Sequence, residues 1–480
     1  MCMMTLIYSH LLVFLLCVTF QTKCDSVREP DLTGDRIVRP VLDEHKCKRF
    51  DEDILRHLGT KTPYRVVANA DEATPAYQGC TPIYIAGVVR HGTRTPGVKD
   101  ADRMRKNLEK IKASSFVPET ELESPSLYQD STRGTICQSE KDHIMSWKLT
   151  LESEEGKTLT REGEDEMFKL AQRYQKRYPD LLPKTYANST FLFKFTQTQR
   201  TEESAKHFTT GLFGKDQSRQ VWFPEALDKD PILRFYKLCE RWKEDVKNNE
   251  SSKEELIAYK NTAEALFMTR EISRHLRLNY TLSYDDVYLM YVTCAFEVAW
   301  HKERRSPWCV VFTREDIQVL EYGEELKYYW RDGYGFDVNH QQACVLTRDI
   351  FDRFESRKES GQKALFYFTH SGTLLKLLSH LGLYRDAFKL KHDITGQQRR
   401  DRSWRVSYID TFGTNFVFVF YNCSGDLKVL TLHQERVVHV PGCPGGDLCP
   451  LDALRQLLGA NESCQFATIC NSSQSGHYEL

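Results

Sequence analysis

Beyond the N-terminal leader the 480-residue chain has no apolar run long enough to cross a bilayer, and a spanning helix needs ~20 such residues. No two of its cysteines stand in the CxxC spacing that zinc and redox sites favour. It also lacks net charge, with 66 Lys+Arg against 67 Asp+Glu. That balance gives no reason to expect nucleic acid or an anionic membrane as the main partner, so any anion specificity must be local. There is no internal repeat and no low-complexity block.

What is present begins with a leader. An apolar run over residues 6–20, followed at once by polar sequence, reads as a signal-peptide core, with residues 1–24 removed; a membrane association follows only if the leader is an uncleaved anchor. Twelve further cysteines (Cys47, Cys80, Cys137, Cys239, Cys294, Cys309, Cys344, Cys423, Cys443, Cys449, Cys464 and Cys470) read as a disulfide framework. From spacing, Cys239 is expected to pair with Cys294 and Cys464 with Cys470. Acceptor tripeptides for N-glycosylation start at Asn188, Asn249, Asn279, Asn422, Asn461 and Asn471. His477-Tyr478-Glu479-Leu480 resembles a retrieval tetrapeptide, with Tyr478 in place of the usual acidic residue. The expected location is the secretory pathway, either the endoplasmic reticulum lumen or the outside of the cell.

The fold class is α/β. Residues 82–89 are short, β-branched and apolar, as in a strand buried on both faces, and they run straight into Arg90-His91-Gly92. An aromatic strand over 190–195 leads through Thr198-Gln199-Arg200-Thr201 into a helix, and a strand over 364–369 leads through His370-Ser371-Gly372 into another. Strand, polar turn and helix repeated in this way build a sheet with helices on both faces, whose ligands collect at the carboxyl ends of the strands. Between them, 215–337 is charge-rich and mostly helical, with helices expected over 233–247, 253–278, 283–302 and 313–330. The expected organisation is therefore an α/β domain in two parts, 47–214 and 338–460, a mostly helical second domain over 215–337, and a Cys-containing tail over 461–480.

The chemistry lies in Arg90-His91-Gly92-Thr93-Arg94-Thr95-Pro96. A neutral imidazole can attack phosphorus, and flanking guanidiniums can bind the nonbridging oxygens bidentately. Gly92 lets backbone approach an anion, and Pro96 fixes the exit of the turn. Five specified positions arise by chance in a chain of this length with a probability on the order of 10⁻⁴. Arg200, at a strand end and a helix start, supplies a further phosphate ligand. His370, at another strand end, supplies a second imidazole opposite His91. Of the basic residues at 99–112, Lys99 stands closest to the motif and is assigned to the site; the rest read as a solvated face.

Arg90 to Pro96 resembles the signature of the histidine acid phosphatases. The chain is most similar to the multiple inositol polyphosphate phosphatases among them, through Leu159-Thr160 to Tyr178-Pro179, Gly211-Leu212-Phe213, Ser306-Pro307-Trp308-Cys309, Leu320-Glu321-Tyr322, Tyr328-Tyr329-Trp330, Gly333-Tyr334-Gly335 and Thr373-Leu374-Leu375. The resemblance implies a histidine-phosphatase-like sheet domain with an added helical domain and the site in the cleft between them. It implies hydrolysis of inositol polyphosphates, with bisphosphoglycerate as a side activity, through a phosphohistidine on His91. Arg90, Arg94, Arg200 and His370 would hold the phosphate, with no metal and no cofactor. One position departs from the pattern. The subfamily follows the later histidine with Ala-Glu, and the wider superfamily with Asp, where this chain has Ser371-Gly372, and glycine cannot protonate a leaving alkoxide. General-acid help is typically worth ~10²–10⁴ in rate. His392-Asp393 imitates the wider superfamily's pair but follows no buried strand. Ser371, or a carboxylate from another loop, could relay the proton instead. Two readings stand: a working phosphomonoesterase, or a lumenal polyphosphate binder that kept the pocket and lost the acid.

Overall fold

Among the described residues seven strands form one sheet in the order β2-β3-β1-β4-β5-β6, with β7 beside β5. They are β1 Cys80–Arg90, β2 Phe191–Phe195, β3 Ala364–Thr369, β4 Asn415–Cys423, β5 Asp426–His433, β6 Arg436–Val437 and β7 Leu448–Pro450. This is a computed structural model, and it describes residues 52–71, 76–118, 136–151, 156–303, 305–459 and 464–471. The leader, Cys47, Asn461 and the C-terminal tetrapeptide lie outside the described residues.

β1 is the central strand because it is apolar on both faces, buried without interruption from Tyr84 to Arg90. β3 runs parallel to it and β2 parallel to β3, whereas β4 is antiparallel to β1 and begins the hairpin with β5. Alternation along each strand divides the core. Tyr84, Ala86 and Val88 of β1, Leu365 and Tyr367 of β3, and Phe416, Phe418 and Phe420 of β4 face one cluster. Ile85 and Val89, Phe366 and Phe368, and Val417 and Val419 face the other. The second cluster packs against helices Arg161–Arg177, through Met167, Leu170 and Tyr174, and Gln199–Ser218, through Phe208 and Leu212. The first packs against helices Tyr284–Trp300, Arg314–Asp332, Cys344–Ser360 and Ser371–His380. Helices therefore cover both faces, as the strand pattern predicts.

The sequence pattern also placed one helix over 253–278. The structure breaks it into Glu254–Lys260 and Ala263–His275, because the Thr262 hydroxyl accepts from the Ala265 N–H and caps a new start. Helix Cys344–Ser360 lies outside the expected elements; Phe354 stacks on Phe420 at 4.1 Å, and Gly361 ends the helix in the left-handed region.

The disulfides correct two expected pairings. Cys239 bonds Cys470 rather than Cys294, and Cys464 bonds Cys344 rather than Cys470. Cys294 closes a local loop with Cys309. Tail residues 464–470 fold back over distant helices, so their nearest sulfurs are 231 and 120 residues away along the chain, not six. Cys80–Cys423 joins the paired ends of β1 and β4, and Cys443–Cys449 ties the segment before β7.

Candidate active site

Three strand ends meet at one edge. β1 delivers Arg90 and His91, and β3 delivers His370 as the N-cap of helix 371–380. β2 leads through Thr196 to helix 199–218, with Arg200 in its first turn. Parallel register opposes Arg90 to Thr369 and Phe195 to Phe368, so the ends stand side by side. Two helices begin at that edge with their N-terminal N–H groups and positive dipole ends, a local environment suited to an anion.

His91 is 3% exposed, and its ring lies 5.6 Å from that of His370. Its Nδ1 is 2.9 Å from the Gly92 carbonyl, an acceptor that fixes the proton on Nδ1 and leaves the Nε2 lone pair free. Burial, then Arg200, Arg90, Arg94 and His370, hold the imidazole well below the usual histidine range. His370 is held likewise, by burial first and then by Arg200, Arg234, Arg94 and Arg90. Its Nε2 lies 2.9 Å from Thr196 Oγ1, and its Nδ1 accepts from Arg200 Nη2 at 3.3 Å. A neutral imidazole among cations is the state a nucleophile requires.

The guanidiniums crowd one another. Burial, then Arg200 and Arg90, make the charged form of Arg94 costly, and burial followed by Arg234 does the same for Arg200. Arg90 lies 4.9 Å over the Phe412 ring and donates through Nη1 to Thr60 O at 2.9 Å and Asp410 O at 2.5 Å. The Nε atoms of Arg90 and Arg200 are buried without a hydrogen-bond partner. Unused donors and an excess of positive charge are the physical requirements for gripping a phosphoryl group.

The loop after His91 is braced by helix 161–177. Thr93 donates its N–H to Glu166 Oε2 at 2.7 Å and its hydroxyl to Oε1 at 2.9 Å, and the Tyr64 N–H donates to Oε1 at 2.9 Å. Two glycines allow the approach: a Cβ on Gly92 would lie 2.5 Å from Gly163 O, and one on Gly163 would lie 2.3 Å from Thr93 O. Neither contact can be relieved by a side-chain rotation. Gly92→Ala and Gly163→Ala are each expected to cost about 1–3 kcal/mol, the range for overpacking, and to lower turnover more than thermal stability suggests, because the displaced loop carries His91. Thermal unfolding and steady-state rates check this; unchanged rates would refute it.

The structure thus brings together His91, Arg90, Arg94, Arg200 and His370. Lys99 it leaves exposed on the first turn of helix Val98–Arg103; Lys157, exposed too, has its charged form disfavoured by partial burial and then by Arg94 and Arg200. His392 lies elsewhere, 2.7 Å from Glu255. Gly372 is the second residue of helix 371–380; a Cβ there would sit 3.4 Å from Asp332 Oδ1 and 3.7 Å from the Tyr236 ring. Sequence reasoning missed Asp410, Phe412, Thr196, Glu166 and Arg234. Glu166 had a signal, since it shares the buried face of its helix with Met167 and Leu170. Among the described residues no group of three or more His, Cys, Asp or Glu is placed to hold a metal ion.

Known proteins resemble this chain in sequence and in fold. The histidine phosphatase superfamily (branch 2) matches residues 84–440. Multiple inositol polyphosphate phosphatase 1 of Drosophila melanogaster is 34% identical over 408 residues, covering 82% of this chain and 83% of its own length. The Homo sapiens protein of the same name is 27% identical, covering 80% and 82%. Among solved structures, the phytase from D. castellii superposes with a TM-score of 0.68 at 18% identity, covering 89% of this chain and 92% of its own. The Bifidobacterium longum multiple inositol polyphosphate phosphatase, in complex with inositol hexasulfate, gives 0.63 at 15% identity, covering 84% and 97%.

Proposed function

The chain belongs to branch 2 of the histidine phosphatase superfamily, among the multiple inositol polyphosphate phosphatases, as an enzyme of the histidine acid phosphatase type; from this premise we propose that it hydrolyses inositol polyphosphates through a phosphohistidine on His91. The observation that carries the reading is a neutral His91 with Nε2 free, set among Arg90, Arg94 and Arg200. In the first step Nε2 attacks phosphorus while the guanidiniums share the charge on the three nonbridging oxygens, and His370, whose Nδ1 accepts from Arg200, orients that guanidinium. The bond to the bridging oxygen breaks and that oxygen takes a proton. In the second step water displaces Nε2 and orthophosphate leaves. The excess of positive charge favours a substrate with several phosphates, and the relatives named for inositol polyphosphates and the neighbour holding inositol hexasulfate support that class. Bisphosphoglycerate carries the same chemistry.

The purified protein, given inositol hexakisphosphate or an aryl phosphate, is expected to release orthophosphate from both. Release from neither would end this reading. Glycine at 372 favours the second reading, a polyphosphate binder without turnover; tight calorimetric binding of inositol hexakisphosphate with no release would establish it instead. A lumenal or secreted location is part of the proposal, supported by the disulfides and by exposed acceptor asparagines at 188, 249, 279 and 422.

A further inference from the structure

Breaking the bond to an inositol oxygen requires a proton at that oxygen, and position 372 has no side chain to give it. The residue before it does. Ser371, the first residue of its helix and partly exposed at the site edge, donates its hydroxyl to Asp410 Oδ2. Asp410 reaches the site from another direction, on the loop that enters β4. Because β4 is antiparallel to β1, its beginning lies at the edge where β1 ends: Asn415 opposes Val89, the Arg90 N–H donates to Thr414 O at 2.8 Å, and the Gly413 N–H donates to His91 O at 3.1 Å. Asp410 is fully buried, and its Oδ1 has no hydrogen bond and lies 3.6 Å from Arg90 Nη1.

Resting on the phosphatase reading above, we propose that Asp410, acting through the Ser371 hydroxyl, supplies the leaving-group proton that residue 372 cannot. Asp410 starts as the acid, and in this form the contact with Ser371 runs the other way, Oδ2–H donating to Ser371 Oγ, which leaves the Ser371 hydrogen free for the leaving oxygen. As Nε2 of His91 bonds to phosphorus and the bridging P–O bond breaks, Ser371 passes its hydroxyl proton to the leaving oxygen and takes the proton of Asp410, whose carboxylate then faces Arg90. When water attacks the phosphohistidine, its proton returns through Ser371 to Asp410, and both groups are restored as orthophosphate departs. No proton is created or lost over the cycle.

The surroundings suit the task. Arg90 from β1 and Ser371 from helix 371–380 contact Asp410, and the carboxylates of Asp332 and Glu324 from helix 314–332 act on it electrostatically. Burial above all raises its carboxyl to about 7, with Asp332 and Glu324 adding to the rise and Arg90 and Ser371 opposing it. Asp332, the other carboxylate near 372, is engaged by Lys376, whose ammonium is buried 4.5 Å over Trp242 and 5.2 Å over Tyr236. Asp410 is the carboxylate connected to a hydroxyl at the helix start.

The test compares wild type, Asp410→Asn and Ser371→Ala on inositol hexakisphosphate, an alkyl ester, and on p-nitrophenyl phosphate, whose leaving group needs little protonation. Both variants are expected to lose about 10²–10³-fold in kcat on the alkyl ester and less than about tenfold on the aryl ester. Asp410→Asn should also lose the basic limb that the wild type shows near pH 7, and adding Gly372→Glu to it should recover at least tenfold on the alkyl ester alone. Ser371→Ala carries the same expectation if the asparagine variant fails to fold. Equal losses on both esters, or hexakisphosphate turnover kept within about threefold, would overturn the role of Asp410 and leave the phosphatase reading intact. Wild-type protein that turns over neither ester overturns both.

Discussion

His91→Ala is expected to lower orthophosphate release by about 10⁴-fold or more on alkyl and aryl esters alike, while inorganic phosphate still binds within a few-fold of wild type. Loss of a nucleophile leaves only what binding and charge stabilisation can do, and in hydrolases that act through a covalent intermediate such losses reach about 10⁴–10⁶. No neighbour can replace it. His370 stands 5.6 Å away with Nε2 beside Thr196 and Nδ1 accepting from Arg200. The arginines are cations without a lone pair to offer. Binding survives because Arg90, Arg94 and Arg200 are positioned by Thr60, Thr95 and His370 rather than by His91. Acid-labile, base-stable label should appear on the peptide containing His91 when wild type is quenched during turnover of a ³²P ester, and should vanish in the variant. Because burial and four cationic or imidazole neighbours keep His91 neutral, the acidic limb of kcat/KM should fall well below the usual histidine value. Retention of even a hundredth of wild-type activity in His91→Ala would remove the covalent mechanism.

The parts of the site that sequence reveals are those set by short-range order. A strand buried on both faces has to be followed by a turn, and Arg90-His91-Gly92 is that turn; the same reasoning places Arg200 and His370 at strand ends. That the three ends adjoin follows from parallel pairing, which the strand-turn-helix repeat implies. Long-range pairing is what the sequence conceals. Residues 415–421 read as a strand, but nothing local shows that it runs antiparallel beside β1, and so Asp410 and Phe412 are invisible as site residues until the sheet is assembled. Cysteine partners are hidden for the same reason, since Cys470 meets Cys239 only after the tail has crossed the helices. Lys99 and Lys157 show the opposite error. Proximity along the chain favours Lys99, but helix 98–103 turns it to solvent, while Lys157, also exposed, stands two residues before Leu159, which bridges to Arg94, and is acted on by Arg94 and Arg200.

Glu166→Ala is expected to cost about 3–5 kcal/mol of folding stability, enough to consume much of the ~5–15 kcal/mol typical of a domain. Glu166 is 5% exposed and accepts from the Thr93 N–H, the Thr93 hydroxyl and the Tyr64 N–H. Alanine leaves three buried donors without an acceptor, at ~1–3 kcal/mol each when no water reaches them. Glu166→Gln keeps the shape and one acceptor oxygen, so about 1–2 kcal/mol is expected. Denaturant midpoints at constant slope decide between them, and a loss below about 1 kcal/mol in the alanine variant would show that Glu166 does not hold the loop. Acidity adds a second signature. Burial raises the Glu166 carboxyl from 4.5 to about 7 against the pull of its three donors. Between those values the folded protein holds a proton that the unfolded chain releases, so this contribution to stability is complete below about pH 4.5 and is lost as pH rises through 7. Glutamine has no such proton. The deficit of Glu166→Gln relative to wild type should therefore narrow between pH 4.5 and 7, and because the same carboxylate holds the residue two places after His91, the turnover of both variants should fall along with their stability.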